Sequence, residues 1–335
     1  MEECVTEKVG VAVVGVGFVG GSAHTPSFKK IPGSELVALC ARTEKRVKQL
    51  SEKYGVKYYL DYDELLNDPG IDAVVLAVPT PSHFDFAMKA IGKGKHVLCE
   101  MPLAPTIEET AKLADAAKKA GVILMPVLNF RFTPAYIQAK EMIESGEIGE
   151  PIAVHYREFI PVMSLAEQWP AGSWAWDIEK SGGYPDFTLA VWSLDMLPWM
   201  LRSEIESAEW MSNYRKFEEY GGILGYNTMG VLKFSNGVVG SVHLSSSVNR
   251  SASTTRLEVY GANSNVLHVI WNNKIVLYGS EEKPRELDIQ VSGTRVWGHR
   301  QLDEHFINCV LGKEEPKVTA EDAIKAIRAA KKIVK

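Results

Sequence analysis

Residues 11–20 read Val-Ala-Val-Val-Gly-Val-Gly-Phe-Val-Gly, and this stretch decides the fold of the first half of the chain. A short β-branched run leads directly into three glycines with the spacing of a phosphate-binding turn between a strand and a helix. Gly15 permits the tight turn, Gly17 lets the backbone approach a pyrophosphate, and Gly20 lets the helix pack on the strand. The start of that helix offers N–H groups to phosphates. The pattern predicts a dinucleotide site with these contacts: Gly15, Gly17, Phe18, Val19 and Gly20.

The next strand, residues 36–40, indicates which dinucleotide binds. NAD-binding chains usually place Asp or Glu at the tip of this strand to accept from the ribose hydroxyls. This chain has Ala41, Arg42 and Thr43 instead. No acid repels a 2′-phosphate there, and the guanidinium of Arg42 can pair with one. The alternative is that Arg42 is a solvated residue at a strand end. We expect these three residues to contact NADP, with NAD as the second choice.

Length, charge and cysteine usage exclude several classes of protein. The 335 residues suit two domains, and a net charge of −5 argues against nucleic acid or a membrane surface as a partner. The residues at Met1–Cys4 have no signal-peptide pattern. The four cysteines are scattered, so neither a disulfide framework nor a zinc or other metal site is expected. We expect a cytoplasmic protein.

The periodicity changes near residue 127. Before it, strands alternate with helices, and the apolar strand 72–78 is typical of a buried parallel sheet. Beyond it, strands follow one another, with the hairpin turn Ser235-Asn236-Gly237 between two of them. The predicted fold class is α/β: an N-terminal Rossmann doubly wound parallel sheet (1–126) and a C-terminal α+β domain (127–335) with a large open, mainly antiparallel sheet. Four residues at the end of strand 72–78 and in the loop after it are predicted cofactor contacts: Val78, Pro79, Thr80 and His83. His83 could instead only cap the helix that follows.

Several motifs together resemble the Gfo/Idh/MocA oxidoreductases. They include His24 after the glycines, Gly94 to Glu100, Asn129 to Pro134, Gly182-Gly183, and Glu304-His305-Phe306. The resemblance covers nearly the whole chain and implies a bound NAD or NADP. It also implies a sugar, cyclitol or polyol substrate, and a homodimer or homotetramer built through the C-terminal sheet. It places Glu100 and its neighbour Met101 at the cofactor, with Glu100 on the nicotinamide ribose.

The chain departs from this family at its proton-handling residues. The family's Glu-Lys-Pro is Glu100-Met101-Pro102 here, and methionine has no proton to donate. The positions of the family's Asp and His hold Thr188 and Trp192, neither of which titrates near neutral pH. Tyr184 and Asp186 lie close by in sequence and are the predicted catalytic replacements. Tyr184 could instead be a packing residue, and Asp186 could instead be a helix N-cap.

Three tryptophans and one asparagine are predicted to line a substrate pocket. Indole rings stack on sugar rings and donate from their N–H groups. The predicted substrate contacts are Trp174, Trp176, Trp192 and Asn129. Arg131 is predicted to bind cofactor oxygens, with an interdomain salt bridge as the alternative.

Three functions are compatible with these residues. The first is an NAD(P)-dependent oxidoreductase with an atypical proton-transfer residue. The second is a redox-neutral glycosidase that oxidises its sugar only transiently. The third is a non-catalytic dinucleotide-binding sensor.

Overall fold

A computed structural model describes residues 8–291, 297–331 and 333, which form two compact units. The first unit contains residues 8–127 and 299–324, and the second contains residues 128–291, 297–298, 325–331 and 333. Cys4 and the N-terminal residues assessed for a signal peptide lie outside the described residues. No helix among the described residues combines the length and the apolar character that crossing a bilayer requires.

The first unit is built on a parallel sheet with the strand order β3-β2-β1-β4-β5-β6. Its central strands are apolar on both faces, and Val11, Val13 and Val75 are each fully buried. Such continuous apolar runs are typical of sheets covered by helices on both sides. The strands are β1 Val9–Val14, β2 Ser34–Cys40, β3 Lys57–Tyr59, β4 Ala73–Leu76, β5 His96–Cys99 and β6 Leu124–Pro126.

Helices alternate with these strands, which confirms the predicted Rossmann sheet. A π-helical turn, Gly20–His24, leads into α1 Thr25–Phe28, and a 3-10 turn, Thr80–Ser82, precedes α4. The α-helices between the strands are α2 Glu44–Tyr54, α3 Tyr62–Leu66, α4 His83–Gly92 and α5 Ile107–Ala120.

The second unit is built on an eight-stranded sheet within the described residues, in the order β14-β13-β12-β11-β7-β10-β9-β8. Its neighbours are antiparallel except for β7 and β10. The predicted hairpin at Ser235-Asn236-Gly237 joins β9 to β10 and is confirmed. The strands are β7 Pro151–Phe159, β8 Ile205–Phe217, β9 Ile223–Phe234, β10 Val239–Ser245, β11 Thr254–Gly261, β12 Val266–Ile270, β13 Lys274–Tyr278 and β14 Arg285–Asp288.

One face of this sheet is covered by helices of the same unit. Helix α6 contacts β12 and β13, and α9 contacts β9 and β10. We call this the helical face, and the opposite one the open face. Alternation along the strands places Tyr156, Val242 and Leu232 on the helical face, where they are buried. The helices that follow β6 are α6 Pro134–Glu144, α7 Val162–Gln168, α8 Ile178–Ser181, α9 Pro185–Leu201, α10 His299–Val310 and α11 Ala320–Ala330; short 3-10 turns occupy Asn129–Phe132, Trp174–Trp176, Glu218–Tyr220 and Arg250–Ala252.

Candidate cofactor and proton-transfer sites

The glycine loop forms an open cradle at the carboxyl end of β1. Gly15 has φ +91°, and a Cβ there would lie 2.3 Å from the carbonyl oxygen of Ala77. A Cβ on Gly20 would lie 1.9 Å from the carbonyl oxygen of Gly15, so the helix packs against the turn only with glycine. A Cβ on Gly17 would meet no atom within 4 Å, so its backbone is open to a ligand. Phe18 and Val19 begin the helix that follows. This arrangement fits a dinucleotide pyrophosphate.

The tip of β2 carries positive charge and no acid. Arg42 and Thr43 are exposed and Ala41 is half-buried, as a contact with a cofactor ribose requires. The sequence analysis missed a second cation, Arg46, on the first turn of α2. Its Nη2 donates to the carbonyl oxygen of Gly17 at 3.1 Å, which places a guanidinium beside the glycine loop. The available signal was proximity in sequence, since Arg46 follows Arg42 by four residues and lies in the helix that begins just after the β2 tip.

His83 contacts both the loop after β4 and the segment after β5. The ring of His83 is buried, with Nδ1 2.7 Å from the carbonyl oxygen of Pro102 and Nε2 2.8 Å from that of Val78. Burial lowers the pKa of His83. Its ring therefore links the loop of Val78, Pro79 and Thr80 to the segment after β5. A direct contact of His83 with the cofactor stays a prediction.

Glu100, at the end of β5, lies in a buried network of the first unit. The Nε2 of His24 is 3.1 Å from Oε1 of Glu100, and its Nδ1 is 2.8 Å from Oδ1 of Asp303. Burial by itself lowers the pKa of His24, but the charges and hydrogen bonds of Asp303 and Glu100 outweigh it and raise this pKa to about 10. Burial likewise opposes ionisation of Glu100, but His24 and His299 lower its pKa to about 2. The network therefore holds Glu100 as an oriented carboxylate, the form that accepts from ribose hydroxyls. Met101 beside it is buried.

The same network contains three potential metal ligands. One ligand atom each from His24, Glu100 and His299 lies within 4.8 Å of the other two. Among the described residues, these histidine and carboxylate side chains could hold a metal ion. The sequence analysis considered cysteines and missed this group, because its members come from β5 and from two helices far apart in sequence.

Tyr184 immediately precedes α9, and Asp186 lies in its first turn. Both contact Tyr214 of the sheet. The Tyr184 and Tyr214 rings have centroids 5.2 Å apart. The Tyr214 hydroxyl donates to Oδ2 of Asp186 at 2.9 Å, and the Thr228 hydroxyl donates to the same oxygen at 2.5 Å. The alternative that Asp186 is the N-cap is wrong, because Tyr184 occupies that position and Asp186 turns toward the sheet.

The environment of Asp186 raises the pKa of its carboxyl. Its side chain is fully buried, and this burial raises the pKa of Asp186 against the opposing hydrogen bonds from Thr228 and Tyr214. Tyr214, which donates to Asp186, is 38% exposed. Thr188 is buried and Trp192 is half-buried on α9. Asp186 is therefore joined by a hydrogen bond to Tyr214, whose ring packs against that of Tyr184, and a catalytic role for these residues stays a prediction.

Arg131 forms an ion pair inside the second unit. Its Nε donates to Oδ2 of Asp195 at 2.7 Å, and its Nη2 donates to the other carboxylate oxygen. Both side chains are largely buried. Arg131 is thus an ion-pair residue, but this pair lies within one unit and is not the predicted interdomain salt bridge. Cofactor binding by Arg131 stays a prediction. Asn129 is also buried, and its amide donates to the carbonyl oxygen of Trp297.

The predicted tryptophan contacts pack together. Trp174 and Trp176 lie on one 3-10 turn, and both are half-buried. The indole N–H of Trp176 donates to the carbonyl oxygen of Trp169 at 2.8 Å. The ring of Trp169 meets that of Trp174 edge-on, with centroids 6.2 Å apart. The indole N–H of Trp176 is therefore engaged within the protein, and substrate contacts by Trp174 and Trp176 stay predictions.

Glu158 is a titratable residue that the sequence analysis missed. It follows Val154 and Tyr156 at alternate positions of β7, which places it on the helical face. Burial raises the pKa of its carboxyl to about 7. The available signal was this alternation, because a charged residue is unusual at an inward strand position.

Two family models match the chain. One, described as the oxidoreductase family with an NAD-binding Rossmann fold, matches residues 9–127. The other, described as the C-terminal alpha/beta domain of that oxidoreductase family, matches residues 140–335. Together they account for both units.

Curated relatives match over nearly their full length. A scyllo-inositol 2-dehydrogenase (NAD(+)) of Bacillus subtilis is 29% identical, with 94% of this chain and 90% of the relative covered. A myo-inositol 2-dehydrogenase of Thermotoga maritima is 29% identical, with 95% and 92% covered. The solved structure of a myo-inositol 2-dehydrogenase from Lactobacillus plantarum superposes with a TM-score of 0.80 at 24% identity, covering 97% of this chain and 96% of that one. This last likeness concerns the fold.

Proposed function

Because the chain belongs to the Gfo/Idh/MocA family and is a nucleotide-binding dehydrogenase, we propose that it oxidises or reduces a cyclitol or a related polyol. The observation that carries this proposal is the open cradle at Gly17 in a chain whose full-length relatives are named inositol dehydrogenases. We assign the cofactor to the Rossmann domain, residues 1–126. We assign substrate binding and oligomerisation to residues 127–335.

We propose NADP as the preferred cofactor and NAD as the second choice. Arg42 and Arg46 support this choice, since two guanidinium groups near the β2 tip can pair with a 2′-phosphate. The name of the Bacillus subtilis relative specifies NAD(+), so the preference is a property proposed for this chain alone. When bound, the nicotinamide accepts or donates the hydride. Glu100, held ionised by His24, is suited to orient the adjoining ribose. The remaining predicted contacts at Val78, Thr80, Met101 and Arg131 belong to this proposal.

Tyr184 and Asp186 are the proposed replacements for part of the missing proton-handling set. The Tyr184 phenol would hydrogen-bond the oxygen that changes between hydroxyl and carbonyl. Asp186, whose pKa burial raises, supports this phenol through Tyr214. Trp174, Trp176, Trp192 and Asn129 are the proposed substrate contacts.

We propose that the enzyme is a homodimer or homotetramer assembled through the open face of the sheet. Four apolar side chains on this face are more than half exposed: Met211, Met229, Val231 and Val239. Met211 lies opposite Met229 in the β8–β9 register, and Met229 and Val231 are alternate residues of β9, so these three side chains form one apolar surface. A contiguous exposed apolar patch is typical of an interaction surface. Replacing Val231 with Lys should therefore yield monomers in sedimentation. The buried free thiols Cys40, Cys99 and Cys309 support a reducing, cytoplasmic location.

The test follows the absorbance of the nicotinamide. Inositols, polyols and keto-sugars are each mixed with the protein and with NADP or NAD, in the oxidised and in the reduced form. A steady change with cyclitols and their ketones is the expected result. Release of an aglycone from a glycoside without net cofactor change would support the redox-neutral glycosidase instead. Cofactor binding without turnover of any compound would support the sensor.

A further inference from the structure

We infer that Glu158 is the general acid/base that exchanges a proton with the reacting oxygen of the substrate. This inference rests on the proposed function and completes it. The family's lysine, aspartate and histidine are replaced here by Met101, Thr188 and Trp192, so one titratable group is still required.

The sheet register places Glu158 in line with the Asp186 group. Glu158 of β7 lies opposite Leu244 of β10, and Leu244 lies opposite Thr228 of β9. Thr228 is the residue that donates to Asp186. With strands about 4.8 Å apart, Glu158 and Thr228 are separated by about 10 Å on one face of the sheet. Glu158 and the Asp186 group therefore lie on the same face of the sheet, with the buried Leu244 between them.

Among the residues that the structure describes, the surroundings of Glu158 contain phenols and no compensating cation. Tyr136 of α6, Tyr156 of β7 and Tyr226 of β9 are the titratable groups that feel its charge, and all three are buried. Its neighbours on β10 and β11, Leu244 and Thr255, do not titrate. Among residues 8–291, 297–331 and 333, the Glu158 carboxyl has no hydrogen bond or ion-pair partner.

Two differences from Asp186 favour Glu158 as the group that meets the substrate. The oxygen of Asp186 already accepts from Tyr214 and Thr228, whereas the carboxyl of Glu158 is uncommitted. Asp186 is fully buried, whereas Glu158 retains some exposure. An uncommitted, partly accessible carboxyl that titrates near neutral pH suits a general acid/base.

The proton balance follows directly. In oxidation, the substrate C–H bond breaks and the hydride leaves with its electron pair to the nicotinamide. The O–H bond breaks at the same carbon, its proton passes to the Glu158 carboxylate, and the C=O bond forms. In reduction, the protonated carboxyl returns the proton to the oxygen as the hydride arrives.

The experiment compares Glu158→Gln with the wild-type protein and with Glu286→Gln. Glu286 is an exposed carboxylate at the edge strand β14 of the same sheet, where its loss should change little. The kcat/KM for a turned-over cyclitol is measured from pH 5.5 to 9, together with the Kd of the cofactor. We expect Glu158→Gln to lose ~100-fold or more in kcat/KM at unchanged cofactor Kd. The wild-type oxidation rate should rise with pH through about 7, and this step should vanish in the variant.

The outcomes separate the inference from the proposed function. If the wild-type protein oxidises a cyclitol and Glu158→Gln retains both its rate and the same pH step, Glu158 is not the acid/base, and the proposed function survives. If Glu158→Asp restores most of the rate, a carboxyl is required and the inference is supported. If the wild-type protein turns over no cyclitol, polyol or keto-sugar, the proposed function fails and takes the inference with it.

Discussion

Glu158 also governs a measurable part of the stability of the second unit. Burial raises the pKa of its carboxyl from 4.5 to about 7 in the folded protein. Between these values the folded state holds a proton that the unfolded state has released. The contribution of Glu158 to the free energy of unfolding is therefore fully present below pH 4.5 and is lost as the pH rises through about 7. With 1.36 kcal/mol for each pKa unit, the loss amounts to at most about 3 kcal/mol.

Replacing Glu158 with Gln removes this titration while preserving the shape of the side chain. We expect the variant to unfold with a free energy close to that of the wild-type protein at pH 5. At pH 8.5 we expect the variant to be more stable by up to about 3 kcal/mol, because wild-type Glu158 is then a charge buried among Tyr136, Tyr156 and Tyr226.

Tryptophan fluorescence during urea unfolding is the suitable assay, because all eight tryptophans follow residue 127 in the sequence. Taking the difference between variant and wild type at each pH cancels the other titrations they share. Glu286→Gln should give a difference that changes little with pH. A constant difference between Glu158→Gln and the wild-type protein across pH 5 to 8.5 would refute the reasoning.

Three further substitutions test other parts of the molecule. Tyr184→Phe should lower turnover by ~100-fold if the phenol meets the reacting oxygen, and unchanged steady-state kinetics would exclude that role. Arg42→Ala should weaken NADPH binding far more than NADH binding in fluorescence titrations, since only NADPH carries the 2′-phosphate; equal effects on both would contradict the cofactor preference. Arg131→Ala should cost about 3–5 kcal/mol in unfolding free energy, because it leaves Asp195 buried without this partner. A loss below about 1 kcal/mol would mean that Asp195 is well solvated without the arginine.

The Rossmann half was readable from the sequence because its signals are local. Strand, glycine turn and helix follow one another within residues 9–28. Gly15 is required by its backbone conformation and Gly20 by a carbonyl oxygen nearby, whereas Gly17 leaves the backbone open. The alternation of strands with helices then determines a parallel sheet. The hairpin at Ser235-Asn236-Gly237 was predictable for the same reason, since two strands and their turn are contiguous.

The hydrogen-bond and ion-pair partners of individual polar side chains could not be predicted from the sequence. Asn129 and Arg131 looked available to ligands, yet one donates to Trp297 and the other is paired with Asp195, 64 residues along the chain. His24 gains its high proton affinity from Asp303, 279 residues away. Such contacts depend on how distant elements pack, and no spacing within a motif encodes them.

By itself, the sequence determined the two sheets and the phosphate-binding turn, and it predicted that the family's lysine, aspartate and histidine are replaced. Those features depend on residue type and on neighbours a few positions away. Only the tertiary structure decided which carboxyls are unusual. It pairs Glu100 with His24, buries Asp186 beneath Tyr214 and Thr228, and surrounds Glu158 with phenols and, in the described part of the chain, with no cation. A proton affinity is set by burial and by charges within a few ångströms, and folding alone brings these together.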